Sequence, residues 1–464
     1  MTTVGETRVS YERAGSVIAQ ATVSGDLLNL ALPETLLVEQ GRDEVLIVEK
    51  ASSFAEFCGV IPLLSVKAGR ITITELRVPA PWPFTDGDVK AMWLARARLR
   101  LRRRKAMGGE EDWASLARTT GEGLALRYLQ YAHEHARQIL AVWPTRHIGS
   151  HVTKSLERSG GRLLPRASER HARVVVAGTD GPVPLHTVRA VTSAEERTFW
   201  QLSVVAAAVS GRLLRTTVLD GHEKLRSALV TMFRRLATRS RPRTRVDDPP
   251  MSTWPASARN VYWSCVTLLS ALEDIATGTA AAPLSPLWEL YEAWVVEELT
   301  RALELRLGPA AMTLEPDAIG TWQVGEVLTS IYYQATIPPA GNPSRVYAGR
   351  PLVSVMGEMV PDVLITRREE GTASFLVVDA KKYGTYIDIG ALAENASKYL
   401  WSVREESSPV TNPVLRTVVL AAPLGGVQSH PAGRASVFRL HPASGISEEQ
   451  LDMLFASLTA APCD

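Results

Sequence analysis

Cysteine is scarce in this chain. Cys58, Cys265 and Cys463 are the only three among 464 residues, and they are far apart with no C-x-x-C pair. An odd, scattered set excludes a disulfide framework and argues against a structural zinc site. Long apolar runs are also missing. None approaches the roughly 20 residues that span a bilayer. The opening "MTTVGETRVSYERAGS" is polar and mixed in charge, without the basic-then-apolar layout of a signal peptide. A cytoplasmic protein with no membrane contact is therefore expected. The nucleotide-binding pattern G-x-x-x-x-G-K-[ST] does not occur, so the chain carries no P-loop motor of its own. The histidines supply no common metal spacing either, although four of the nine (His133, His135, His147 and His151) fall close together.

What remains is the composition of a soluble globular protein, 45% apolar and 22% charged. A length of 464 residues exceeds one ordinary core. The expected class is multidomain α+β in three parts. A β-rich N-terminal domain covers residues 1–110, a helical middle region with basic loops and a linker covers 111–250, and an α/β domain covers 251–464.

The net charge of +2 hides a segregation. "KAMWLARARLRLRRRK" at 90–105 holds eight basic residues and no acid. Its alternation of basic and apolar residues suits a strand with one basic face. Such a face is either plain solvated surface or a contact for phosphates or an acidic partner. Further on, "SAEERTFWQLSVVAAAVSGRLL" has helical spacing, with Ser193 as N-cap and Glu196 three residues on. "FRRLATRSRPRTRVDDPP" at 233–250 reads as a basic, then proline-rich linker.

The C-terminal part is the most legible. "SPLWELYEAWVVEELTRALELRLG" at 285–308 predicts a helix capped by Ser285, with Pro286 in its first turn and Gly308 at its end. A strand or hairpin follows at 321–337, then strands at 357–368 and 373–383, a helix at 390–406 and an apolar strand at 415–423. The segment "FLVVDAKKY" (375–383) poses a problem in physical chemistry. An apolar strand ends on Asp379, and Lys381 shares its face because strand side chains alternate with period two. Asp362, after Pro361 on the preceding strand, is separated from Asp379 by 16 residues of a hairpin. Two carboxylates and an amine thus meet at the edge of an apolar sheet. Buried unpaired charge is costly, and a divalent cation with hard oxygen ligands offsets that cost. Such a cation, with a lysine beside it, suits hydrolysis of a phosphodiester.

The pair Pro361-Asp362 and Asp379-Ala380-Lys381, on consecutive strands between two helices, resembles the PD-(D/E)xK nuclease superfamily with its restriction-endonuclease-like fold. With "LYEAW" and "PDVLI", the motifs over about 285–422 are similar to the McrC-like branch, the nuclease subunits of McrBC-type restriction systems and their longer relatives. The resemblance implies a Mg2+-dependent DNA endonuclease, with Mn2+ able to substitute. Asp362, Asp379, the Ala380 carbonyl and an acid from the first helix would hold the metal, and Lys381 would orient the attacking water. Glu292 is preferred as that acid over Glu358, while Glu289, Glu297 and Glu298 are read as solvent-facing. Lys382, Asn395, Lys398 and Tyr399 are the implied DNA contacts, Tyr399 being equally suited to core packing. Arg98, Arg100 and Arg102 would line a DNA path or enter a partner ring. The implied partner is a separately encoded AAA+ GTPase or ATPase of the McrB-like kind. Cutting both strands would take a homodimer or two nicking events. Two other readings stay open: a stand-alone repair or structure-specific nuclease, and a catalytically inactive DNA-binding or scaffold subunit.

Overall fold

The computed structural model describes residues 6–106 with short breaks, 151–155, 162–163, 187–191, 194–237 apart from 218, and single positions between 262 and 282. It also describes 284–459 apart from 312–314, 316, 382–388, 408–414, 424–427 and 430–434. The fold is mixed α/β with a β-rich N-terminal region, as expected. The expected boundaries at 110/111 and 250/251 lie outside the described residues. Among the described residues no helix is long and apolar enough to cross a membrane.

Two sheets form the N-terminal region. In the first, Glu6–Arg13 lies between Ser16–Ser24 and Glu44–Glu49, with Leu36–Gln40 at the far edge. In the second, Phe57–Lys67 pairs with Arg70–Val78, with Asp26–Leu27 and with Ser285–Pro286. Val9, Tyr11, Ile47, Leu63 and Leu76 share a core between them. The pairing of Ser285 with Cys58 ties the C-terminal part to the N-terminal sheet.

The basic segment is not a strand. Residues Asp86–Ala106 form helix α1. Its start is a capping box, in which Thr85 N–H donates to Asp88 Oδ2 (2.8 Å) and Asp88 N–H donates to Thr85 Oγ1 (3.2 Å). Val89, Met92, Trp93 and Leu99 are buried, which is a helical repeat of three and four. Ala, Leu, Arg and Lys are strong helix formers, and only Val89 in this stretch is β-branched. Local propensity and the wider apolar repeat outweigh the short alternation.

The described middle residues hold helices α2 (Ala194–Leu213) and α3 (Glu223–Ala237). They also hold a small sheet, His151–Ser155, Thr187–Val191 and Arg162–Leu163; its first and last strands fall in 145–173, which reads from sequence as an ordered loop or extended segment, and Thr187–Val191 lies in a stretch expected to be largely helical. Ser193, His133, His135 and His147 lie outside the described residues.

The C-terminal part is built on a seven-stranded sheet: β1 (Gly320–Val324), β2 (Val327–Tyr333), β3 (Val363–Glu369), β4 (Thr372–Ala380), β5 (Leu415–Ala422), β6 (Gln428–Ser429) and β7 (Ala435–Arg439), in the order β1-β2-β3-β4-β5-β7-β6. Pairing is antiparallel from β1 to β4, then parallel through β5 to β7. Period-two alternation sorts the strand residues onto two faces. Val363, Ile365, Leu376, Val378, Val419 and Ala421 pack in one core with helix α4 (Leu287–Leu307). Leu364, Phe375, Val377, Val418 and Leu420 pack in another with helix α5 (Ile389–Ser402). The helix expected to run to 406 stops at Ser402, because Val403–Glu405 joins Arg350–Ser354 and Arg345–Tyr347 in a separate small sheet. Helix α6 (Glu448–Thr459) closes the described chain. The first core draws on α1, α2, α3, α4 and the sheet together, so one buried apolar cluster spans all three expected parts.

Candidate metal and catalytic centre

Helix α4 delivers the first acid. It begins at Leu287, with Pro286 and not Ser285 at the N-cap, while the Ser285 backbone pairs with Cys58. Gly308 ends the helix at φ 87°, a left-handed conformation that suits glycine. Glu292 is buried on this helix and Glu358 is exposed, which separates the two rival acids. Glu297 and Glu298 are buried, not solvent-facing. Glu297 meets Arg102, and Glu298 meets Arg301 and the Ile446 amide. Arg301 is the i+3 neighbour of Glu298 on the same helix, whereas Arg102 and the Ile446 amide come from other elements that the helical wheel does not reveal.

The other two acids come from the β3–β4 hairpin. Asp362 precedes β3, and its Oδ2 accepts the Ala380 N–H at 2.7 Å. That bond joins the P-D and D-x-K segments directly. Asp379 is buried near the end of β4 on the α5 side of the sheet. Lys381 follows the strand, its N–H donating to the Ala421 carbonyl (2.7 Å) and its Nζ lying 2.5 Å from Asp379 Oδ2. That oxygen has no hydrogen bond of good angular geometry, so the contact is an ion pair.

Charge crowds here. Burial, with Glu292 and Asp379 adding to it, pushes Asp362 up to about 9 against the ordinary 3.8. Burial also raises Glu292, reinforced by Glu289 and Asp379 and opposed by hydrogen bonds from Gln334 and Tyr333. The ionisation of Asp362 and Glu292 is thus disfavoured by burial and by the neighbouring carboxylates.

Helix α5 covers the centre. Tyr399 is buried and its hydroxyl donates to Asp379 Oδ1 at 3.4 Å, with burial and the Asp379 and Asp362 charges raising its phenol. Tyr399 thus packs in the core, with its hydroxyl on Asp379. Lys398 is exposed. Asn395 lies on the same helix with its side chain outside the described residues, as is Lys382 altogether. On α1, Arg98 is exposed and the Arg100 side chain is outside the described set. Arg102, expected on a DNA path, is instead clamped by Glu297 and Glu304 of α4, which accounts for its charge without DNA.

Two residues escaped the sequence reading. Gln334 Nε2 donates to Glu292 Oε1 at 2.9 Å, and Tyr333 also hydrogen-bonds Glu292. Both follow from β2 lying beside β3, a long-range pairing that no local motif announces.

The donor chemistry fits a hard divalent cation: the candidate ligands are carboxylates that repel one another until a cation joins them. Among the described residues, however, no three His, Cys, Asp or Glu side chains stand together closely enough to hold a metal ion as they are placed. The chain matches no protein-family model and no curated protein.

Proposed function

We propose that this chain is a divalent-cation-dependent DNA endonuclease of a prokaryotic defence system, working with a separate AAA+ NTPase. One observation carries the reading. Asp362 and Asp379 are brought together at the end of the β3–β4 hairpin, where Asp362 accepts the Ala380 N–H and Lys381 contacts Asp379, with Glu292 of α4 near enough to act on Asp362. The order helix, hairpin, helix and parallel strand around them supports the PD-(D/E)xK resemblance. Asp362, Asp379 and Glu292 would hold Mg2+ or Mn2+, which supplies Lewis acidity and an activated water when bound. Lys381 would orient the attacking water and offset charge developing on the phosphate. Tyr399 holds Asp379 from the α5 side. A motor partner is part of the proposal because the branch resembled pairs its nuclease with one and this chain has no P-loop.

The test is plasmid cleavage in Mg2+ and in Mn2+ by wild type, Asp379→Ala and Lys381→Ala, alone and with a candidate AAA+ NTPase plus GTP or ATP. Nicking or linearisation by wild type only, increased by the NTPase, is the expected result. Cleavage by Asp379→Ala at the wild-type rate would overturn the site. Full wild-type activity without any NTPase would favour the stand-alone nuclease instead.

A further inference from the structure

We infer that Gln334 is a positioning residue that sets Glu292 against the two aspartates, and that its strained backbone serves this role. The inference rests on the cation-site reading above. Gln334 sits just after β2 with φ 51°, in the left-handed region that disfavours side chains other than glycine, asparagine and aspartate. It is exposed, so apolar packing does not dictate a glutamine there. Two bonds fix it. Its N–H donates to the Asp362 carbonyl at 3.0 Å, and its side-chain Nε2 donates to Glu292 Oε1 at 2.9 Å.

The positive φ has a geometric consequence. In a regular strand, neighbouring side chains point to opposite faces. Here consecutive residues Tyr333 and Gln334 both hydrogen-bond Glu292. The left-handed residue breaks the alternation and lets two successive side chains converge on one carboxylate. The same residue grips the backbone of Asp362, so the helix acid and the hairpin acid are referenced to one point. Five described non-glycine residues share a positive φ, and what sets Gln334 apart is that its backbone and its side chain each bond one of the site acids.

Glycine separates the backbone from the side chain. Gln334→Gly keeps the N–H bond to Asp362, suits φ 51° and removes the whole side chain with its carboxamide. The measurements are Mn2+ binding by titration calorimetry and melting temperature without cation, for wild type, Gln334→Gly, Glu292→Ala, the double variant and Asp362→Ala/Asp379→Ala. Gln334→Gly should melt at or above wild type, yet bind Mn2+ on the order of tenfold more weakly, the usual loss when a ligand's outer partner is removed. In the Glu292→Ala background the same change should have no further effect, since residues acting through one another are not additive. Wild-type Mn2+ affinity in Gln334→Gly, an equal loss in the Glu292→Ala background, or a melting temperature well below wild type would each overturn the inference alone. Wild type binding no more tightly than Asp362→Ala/Asp379→Ala would overturn the cation-site reading, and the inference with it.

Discussion

Arg102 and Glu297 are joined by two contacts of 2.9 and 3.2 Å, and Glu304 closes the other side of the same guanidinium at 2.7 and 3.0 Å. The pair bridges α1 and α4, so a residue of the N-terminal part braces the helix that carries Glu292. Glu297 is almost fully buried, and burial raises its carboxyl even against the opposing Arg102 charge. Removing the arginine would strand that carboxylate in low dielectric. Arg102→Ala should therefore destabilise the fold by about 3 kcal/mol, the low end for a broken buried pair. Urea denaturation checks this. An Arg102→Ala protein of wild-type stability with weakened DNA binding would return the arginine to the DNA path.

Glu298 gives a pH prediction. Burial pushes its carboxyl up, but the Arg301 hydrogen bond, the Ile446 amide and the Arg301 charge outweigh burial and hold it below the ordinary 4.5. A carboxylate with a depressed folded pKa contributes stability above the unfolded value, and loses it as pH falls through the folded one. Glu298→Gln should be less stable than wild type at pH 7, and the gap should close as pH falls below about 4. Thermal melts of the two proteins across that range would show it. A gap that stays constant would mean that the loss is one of packing and not of charge.

The sequence was most readable where local and long-range signals agree. The β3–β4 hairpin, α4, β5 and the meeting of Asp362, Asp379 and Lys381 all follow from apolar runs, turn residues and period two. Three features were not readable, each for a physical reason. Helix α1 carries a short basic–apolar alternation that mimics a strand, and only its buried Val89, Met92, Trp93 and Leu99 reveal the true period. The burial of Glu297 depends on Arg102 from α1, and that of Glu298 in part on the Ile446 amide, both brought in by other elements. Gln334 acts through a backbone angle and a strand pairing, neither of which a residue type encodes.

The turn between β3 and β4 sets the register that brings Asp362 to the Ala380 amide. Glu369 pairs with Thr372, and the two residues between them, Glu370 and Gly371, have φ 43° and 82°. Positive φ at both central positions is the type I′ hairpin, whose preferred first residue is asparagine and whose second is glycine. Glutamate is poorly suited to the first. Glu370→Asn should stabilise the protein by about 0.5 kcal/mol and leave cleavage unchanged, whereas Gly371→Ala should cost about 1 kcal/mol. A chemical-denaturation series on the two variants decides it. Destabilisation by Glu370→Asn would mean that the glutamate side chain has a role beyond the turn.

Under the proposed function, Lys381 would separate cation binding from catalysis. Its ammonium lies 2.5 Å from Asp379 Oδ2, so without a divalent cation it is the nearest counter-charge to that acid. An incoming cation meets a site whose negative charge the lysine already offsets in part. Removing the lysine raises the net negative charge of the site and so favours a divalent cation. It also removes the group proposed to balance charge on the phosphate, and loss of one such donor typically lowers the rate on the order of a hundredfold or more. Lys381→Ala should therefore bind Mn2+ more tightly than wild type while cutting at least about a hundredfold more slowly. Calorimetry and single-turnover cleavage on the same preparations give the two numbers. A parallel fall in both would show that the lysine chiefly holds Asp379 in place.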